Sequence, residues 1–185
     1  MLNVYRDTDY IKIRKIVNMA LFISISIVLS VLESFIPISV AIPGVKLGLA
    51  NIVLLMMIYH YSFKDLLVFQ FIRITITSFI LGLFSVYLFS MFAGIISLSV
   101  MYGLHKLFGK HIKIYSISII GAITHNISQI IFAMFYVQSL TLILYIPILS
   151  IVGVFTGFAI AWIVDNKLDT IQRKLNDDSI KELFS

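Results

Sequence analysis

The sequence has no cysteine, three prolines, one tryptophan and few charged residues for its length of 185. The absence of cysteine excludes disulfide bonds, thiol catalysis and cysteine-ligated metal sites. Charged residues make up 12% of the chain, whereas a typical soluble domain has about 25%. Because so few charges cannot cover the surface of a soluble fold of this size, an ordinary water-soluble domain is excluded.

Apolar residues make up 60% of the sequence and are concentrated in its middle. A helix needs about 20 mostly apolar residues to cross a membrane, and such stretches fill 16–164, which we predict to be a transmembrane domain. The flanking segments 1–15 and 165–185 are predicted to be a cytoplasmic N-terminal segment and a cytoplasmic amphipathic tail. Leu168, Ile171 and Leu175 lie at helical spacing between charged residues, which favours an amphipathic helix along the inner membrane surface, and an extension of the last helix is the equally weighted alternative.

Interruptions in the apolar region predict an all-α bundle of six transmembrane helices. Residues 74–104 carry no charge, and as one helix they would be about 47 Å long, against a hydrocarbon core of about 30 Å. A turn at Gly82 is therefore predicted. A second turn is predicted at Gln138-Ser139, and Pro147 either kinks the last helix or marks its start. The predicted helices cover 16–36, 47–63, 65–81, 83–107 and two spans within 114–164.

Basic residues set the predicted orientation of these helices. With six spans, the basic residues of both chain ends and of the loops near 64 and 106–113 lie on one side, and only Lys46 lies on the other. Because basic loops stay in the cytoplasm, both termini are predicted to be cytoplasmic. The net charge of +5 thus reports orientation, and no nucleic-acid partner is expected.

Ionisable residues within hydrocarbon are costly, so those in the predicted helices need a reason to be there. Lys46 either meets an anionic group of a ligand or extends to the membrane surface, and in the second case Asn51 bonds a neighbouring helix. Arg73 cannot lose its charge, so it either pairs with Glu33 or binds a substrate anion. Gln70 lies on the same helix face as Arg73 and could assist in both cases.

The fifth predicted helix carries an unusual density of polar residues, which are Thr124, His125, Asn126, Ser128 and Gln129. Such side chains either join helices through hydrogen bonds or line a pocket. Five polar groups within six positions exceed what a typical helix contact carries, and the sequence therefore favours a pocket wall.

Small residues recur at a spacing of four on two of the predicted helices. They are Gly153, Gly157 and Ala161 on the last helix, and Ala20 and Ser24 on the first. This spacing lets helices approach closely, so packing inside the bundle is the simpler interpretation. On the first helix the alternative is docking of an external membrane partner.

Motifs of nucleotide and metal chemistry are missing from the sequence. Residues 103–110 resemble a P-loop but have five residues between the glycines, and His111 replaces the serine or threonine that should follow. The four histidines lack metal-ligand spacing. Asp177 and Asp178 form an isolated acidic pair in the polar tail, which is weak ground for a magnesium site. We therefore expect no metal and no cofactor, and any ATP-driven step would need separate subunits.

Two strings, PGVKLGLAN at 43–51 and GAITHNISQ at 121–129, together with Arg73 resemble the Gx transporter family. This family is also called heptaprenyl diphosphate synthase component I, and the resemblance covers roughly 15–165. It is similar to the substrate-binding S components of energy-coupling factor (ECF) transporters. Those are six-helix membrane proteins that bind micronutrients outside the cell, while a transmembrane coupling subunit and two ATPases drive release inside.

The resemblance implies an S-component-like fold in a prokaryotic plasma membrane. It implies a docking face on helix one at Ala20 and Ser24, where S components often carry a second alanine. It also implies a set of substrate-binding residues, which are Lys46, Asn51, Arg73, His125, Asn126 and Gln129.

Three functional hypotheses follow from the residues and the resemblance. The main one is a substrate-binding subunit of an ECF-type uptake transporter, which binds a small anionic or polar-headed ligand and works with a coupling subunit and two ATPases in membrane lipid. The alternative is a non-catalytic membrane subunit associated with heptaprenyl or polyprenyl diphosphate synthesis. Prenyl synthases resemble one another in two Asp-Asp-x-x-Asp motifs, and since 177–181 do not match this pattern, we expect no enzyme activity. The third is a secondary carrier coupled to protons through His125 or Glu33.

Overall fold

The computed structural model describes residues 2–35, 48–82 and 84–176, with their side chains except those of 2–11, 84–86, 110 and 167–176. All regular structure in this part of the chain is helical. Two short 3₁₀-helices, Gly109–His111 and Leu140–Tyr145, connect longer elements. The α-helices are labelled α1 (Leu2–Ser34), α2 (Leu49–Ile58), α3 (Phe63–Leu81), α4 (Phe84–Phe108), α5 (Ile114–Val137) and α6 (Ile146–Asn176).

The described residues contain six α-helices in the predicted order, but the helices differ in how well they suit a membrane. α2 has only 10 residues, about 15 Å of helix. α3 is one continuous helix, but its apolar sequence is interrupted by the charged residues Lys64, Asp65 and Arg73. The number of full spans, six, therefore stays a prediction. Within the part of the chain that the structure describes, four segments are long and apolar enough to cross a membrane: Lys12–Ser34, Tyr87–Phe108, Ile114–Val137 and Leu140–Asn166.

Two contacts along α1 give the length of the segment that runs from the start of α2 to the start of α3. At one end of α1, the Glu33 carboxylate accepts backbone hydrogen bonds from Gly48 and Leu49 at the start of α2. Towards the other end, Lys15 forms a 2.7 Å ion pair with Asp65 in the first turn of α3. Glu33 and Lys15 are 18 positions apart, about 27 Å along a helix. The segment between these two contacts therefore covers nearly the thickness of a hydrocarbon core, about 30 Å.

Both predicted turns are confirmed. Gly82 ends α3 in the left-handed region, with φ 66°, and its N–H donates to the carbonyls of Phe79 and Ser78. Gln138 ends α5 in the same region, with φ 53°, and its N–H donates to the Met134 carbonyl. Left-handed residues commonly end helices in this way. Pro147 is the second residue of α6, so it marks the start of that helix rather than a kink.

The second helix is shorter than the predicted 47–63. It begins after Gly48, whose φ of 76° lies where glycine is favoured. It ends early because Ser62 starts the next helix. The Ser62 hydroxyl accepts the Asp65 N–H while the Asp65 carboxylate accepts the Ser62 N–H, a capping box that makes α3 begin at Phe63 rather than at 65.

α2 forms the centre of the bundle. Six of its ten residues are buried: Ala50, Val53, Leu54, Leu55, Met57 and Ile58. They pack with buried residues of the surrounding helices, including Leu66 and Phe69 on α3 and Leu98 on α4. A short helix that is enclosed on most sides is held in place by its neighbours, and it positions the polar residues at its N-terminal end.

α5 and α6 approach each other closely at the small residues of α6. A Cβ at Gly157 would lie 2.7 Å from the Ile119 Cα, and one at Gly153 would lie 3.3 Å from the Ile123 Cα. Ala161 is fully buried. The packing interpretation of these three residues is therefore confirmed.

α1 and the C-terminal part of α6 differ from the predicted boundaries of the bundle. α1 begins at Leu2 rather than 16, and only 11% of its most apolar stretch is buried. α6 continues to Asn176, so the first part of the predicted tail extends the last helix. The division into 1–15, 16–164 and 165–185 stays a prediction.

Candidate ligand-binding site

Glu33, near the end of α1, is only 5% exposed and caps the start of α2. Its two carboxylate oxygens accept the N–H groups of Gly48 at 2.7 Å and Leu49 at 3.1 Å. The first N–H groups of a helix have no partner within the helix, and the positive end of its dipole favours a nearby anion. The buried carboxylate is thus explained by backbone contacts.

Arg73, midway along α3, is 6% exposed. Its Nη1 donates to the Asn51 Oδ1 at 3.4 Å, and its guanidinium carbon lies 5.9 Å from the ring centroid of Phe69. Its Nε has no hydrogen-bond partner among the described residues. A guanidinium keeps its charge when buried and needs several hydrogen-bond acceptors, and one amide oxygen does not satisfy it.

Of the two alternatives predicted for Arg73, the ion pair with Glu33 does not occur in the described part of the chain, where Lys15 and Asp65 do form one. Both Glu33 oxygens are engaged by backbone N–H groups. The Arg73 charge therefore has no carboxylate in direct contact among the described residues.

Gln70 is a further buried polar residue of α3, only 1% exposed. It precedes Arg73 by three positions and lies on the same helix face. Its Oε1 has no hydrogen-bond partner among the described residues, and the same is true of the Thr77 hydroxyl. Gly94 of α4 makes room for the Gln70 amide, because a Cβ at 94 would overlap Nε2. This face of α3 thus holds an unused donor on Arg73 and an unused acceptor on Gln70.

Of the polar residues of α5, Asn126 contacts α6 through a hydrogen bond. The Asn126 Nδ2 donates to the Leu149 carbonyl at 2.8 Å, so for Asn126 the interpretation as a link between helices is confirmed. Ser128 and Gln129 are buried, and His125 is partly buried. The described hydrogen bonds place Asn126 at the α5–α6 contact and Asn51 with Arg73 at the α2–α3 contact.

The three remaining predicted residues are Lys46, Ala20 and Ser24. Lys46 lies outside the described residues. Ala20 and Ser24 are exposed on α1, and the Ser24 hydroxyl donates to the Ala20 carbonyl at 2.9 Å. The two small residues therefore lie on the outer face of the bundle and not in its core.

α3 also has an apolar side, next to the buried polar face. An open groove of about 310 Å³ lies between α3 and α4 and is lined by Leu67, Val68, Phe71, Met91 and Ile95. Among the described residues no group of three histidine or acidic side chains could hold a metal ion. The chemistry that these residues offer is recognition of an anion by a fixed cation in apolar surroundings.

Fold and site together define a helical protein suited to a membrane, with a buried cationic group at the centre of its polar site. The chain belongs to the family described as heptaprenyl diphosphate synthase component I, whose model matches residues 22–167. This match confirms the family that the two sequence strings indicate. No curated protein and no solved structure matches the chain.

Proposed function

We propose that this chain is a non-catalytic membrane subunit that works with the catalytic polypeptide of a prenyl diphosphate synthase and binds an anionic head group at Arg73. Two facts support this reading. The chain belongs to the family described as component I of a heptaprenyl diphosphate synthase. Its sequence lacks the paired Asp-Asp-x-x-Asp motifs that such catalysis needs, so a second polypeptide must perform the transfer.

The observation that carries the proposal is the buried, incompletely bonded guanidinium of Arg73. A buried cation without a directly bonded anion is destabilising, and a bound phosphate would remove that cost. Guanidinium groups bind phosphate oxygens through paired, charge-assisted hydrogen bonds. A prenyl diphosphate has such an anionic head on an apolar tail, which suits a site within a membrane-embedded bundle.

Around Arg73 we propose the remaining binding residues. Asn51 contacts Arg73 and would hold its orientation. Lys46 precedes the Glu33-bound Gly48 by two positions and would add a second cation. His125, Asn126 and Gln129 on α5 would form the opposite wall, although the Asn126 amide is also used to join α5 to α6.

The proposal is tested by prenyl chain elongation in membranes. Elongation is measured with the catalytic polypeptide present, in membranes that contain the wild-type chain, the Arg73→Gln variant or no chain. We expect elongation to fall about tenfold or more with Arg73→Gln and to fall at least as far without the chain. Lys64→Gln removes an exposed cation from the same helix and should change the rate less than about twofold. Unchanged product length and rate in membranes that lack the chain would contradict the proposal.

A second candidate function is the binding subunit of an ECF-type uptake transporter for a small anionic or polar-headed micronutrient. It is favoured by the exposed α1 face that carries Ala20 and Ser24, since small residues permit close docking of another helix. The partners would be a transmembrane coupling subunit and two ATPases. Co-expression with those subunits should yield a complex that Ala20→Leu disrupts and that Val28→Ala, on the exposed part of the same helix, leaves intact. Failure to purify any such complex would exclude this candidate.

Both functions require the same membrane topology, which we propose to be six spans with cytoplasmic termini in a prokaryotic plasma membrane. Support comes from the contacts of α1, because Glu33 and Lys15 lie about 27 Å apart and bind the two ends of the segment from Gly48 to Asp65. This segment is long enough to cross most of a bilayer even though α2 alone is not.

A further inference from the structure

We propose that Gln70 is a ligand-binding residue and that, with Arg73, it selects an oxyanion that itself donates a hydrogen bond. A partly protonated phosphate, free or at the end of a diphosphate, belongs to this chemical class. The inference rests on the proposed use of Arg73 as an anion site, but it does not depend on which protein is the partner.

Two complementary atoms on one face of α3 carry the proposal. The Arg73 Nε is a donor and the Gln70 Oε1 is an acceptor, and neither has a hydrogen-bond partner among the described residues. Both residues are more than nine-tenths buried, and they are three positions apart. Buried polar groups are almost always hydrogen-bonded, so the pair indicates a ligand that accepts from Arg73 and donates to Gln70.

The surroundings of Gln70 explain how this amide is placed. Gly94 of α4 lies directly against it, and a Cβ at that position would overlap Nε2. The glycine thus leaves the space that the amide occupies, with Ile74 packed 3.1 Å from the same position. The Oε1 is buried and has no hydrogen-bond partner among the described residues.

Phosphate and sulfate have the same shape and differ in one respect that matters for this pair. Inorganic phosphate keeps a hydroxyl at neutral pH and can donate to the Gln70 Oε1, whereas sulfate has only acceptors. A sulfate oxygen that faces the Gln70 Oε1 in a buried site would leave the Gln70 oxygen without a hydrogen bond, and the two oxygens would repel each other. We therefore expect Gln70 to bind phosphate and to disfavour sulfate.

The test is binding of inorganic phosphate and of sulfate to the purified full chain in lipid nanodiscs at pH 7. Affinities are obtained from the ligand dependence of the thermal unfolding midpoint, with chloride used to equalise ionic strength. We expect the wild-type chain to bind phosphate at least about fivefold more tightly than sulfate. Gln70→Leu should reduce this ratio to less than about twofold by weakening phosphate, and Arg73→Gln should weaken both anions about tenfold or more.

Two glycine variants of α4 keep the test decisive if Gln70→Leu does not fold. Gly94→Ala displaces the Gln70 amide without changing Gln70 itself, and it should reduce the preference for phosphate as Gln70→Leu does. Gly103→Ala is the matched control, because a Cβ at that position meets no atom of the described residues within 4 Å beyond its own helix backbone, and it should bind like the wild-type chain.

Three outcomes overturn the inference: equal affinity of the wild-type chain for both anions, an unchanged preference in Gln70→Leu and Gly94→Ala, or no binding of either anion. Equal affinities that both depend on Arg73 would refute the role of Gln70 and leave the proposed function standing. A preference lost on replacing Gln70, together with unchanged prenyl elongation in membranes lacking the chain, would refute the proposed function and leave the inference standing.

Discussion

At the scale of single residues, Arg73 has the largest energetic consequence, because it is a permanent charge that is 6% exposed and has a free Nε among the described contacts. Residues that serve a ligand rather than the fold often reduce the stability of the ligand-free protein. The effect of Arg73 on stability therefore separates a binding role from a structural one.

We predict that Arg73→Met stabilises the ligand-free protein against denaturant by about 1 kcal/mol or more, since an apolar side chain of similar length avoids burying a charge. The free energy of unfolding measured in detergent micelles checks this. Lys64→Met, at an exposed position of the same helix, should change it by less than about 0.5 kcal/mol. A large loss of stability in Arg73→Met would show that Arg73 holds the fold together.

Glu33 has the opposite character, because its contacts are structural. Glu33→Gln leaves one acceptor oxygen for two backbone N–H groups and turns an amide donor towards them, so we predict a loss of about 1–3 kcal/mol of stability. The control is Ser34→Ala, which removes a hydroxyl whose partner among the described residues is the Val31 carbonyl of its own helix turn. If Glu33→Gln unfolds at the same denaturant concentration as the wild-type chain, the capping role is wrong.

This role of Glu33 also bears on the proposed alternative of proton coupling. Loss of uptake in Glu33→Gln would follow from damage to α2 alone, so it is no measure of coupling. His125→Gln gives the cleaner test, and uptake that survives this substitution would exclude a carrier that relays protons through His125.

Sequence alone identified Arg73 and Asn51 as residues that need partners, since a charge or amide in an apolar stretch stands out. It did not identify the partners of Glu33, because the N–H groups of Gly48 and Leu49 lie 15 and 16 positions away and every residue type except proline has one. Long-range bonds to the backbone leave no pattern in a sequence, and a charged neighbour such as Arg73 is the more obvious guess.

At the scale of helices, the sequence predicted the residues at which a turn must occur, but it did not predict the length of the buried helix α2. Gly82 and Gln138 interrupt stretches too long for a single helix, and both end a helix in the structure. The early end of α2 depends on the capping box of Ser62 and Asp65. The spacing of Ser62 and Asp65 is visible in the sequence, but because apolar residues lie on both sides of it, the sequence pattern did not indicate that a helix ends there.

The contact between α5 and α6 gives a prediction at this scale. Gly157→Ala would place a Cβ 2.7 Å from the Ile119 Cα, so the helices must separate, and we expect a loss of about 1–3 kcal/mol of stability. Gly103→Ala adds the same methyl group where no described residue beyond the helix's own backbone lies within 4 Å, and it should be neutral or stabilising by up to about 1 kcal/mol. Equal effects of the two substitutions in unfolding experiments would contradict this packing.

At the scale of the whole molecule, the proposed topology requires α2 and α3 each to cross the membrane, first to the cytoplasmic side and then back, and the lack of cysteine in the sequence lets single cysteines test this. A single cysteine at His60, which is exposed between these helices, should react with a membrane-impermeant thiol reagent only from the cytoplasmic side. Cysteines at His111 and Gln138 are the controls for the inner and outer sides. Labelling of His60→Cys from the outer side would show that α2 and α3 enter and leave on one side.

The central claim is that a fixed cation buried in this bundle binds the anionic head of a ligand. Its most direct test compares the binding of farnesyl diphosphate and of farnesol, which share the apolar tail, to the chain in nanodiscs. We predict that the wild-type chain binds the diphosphate about tenfold or more tightly than the alcohol, and that Arg73→Gln binds the two equally. A preference for the diphosphate that persists in Arg73→Gln, or no preference in the wild-type chain, would contradict the claim.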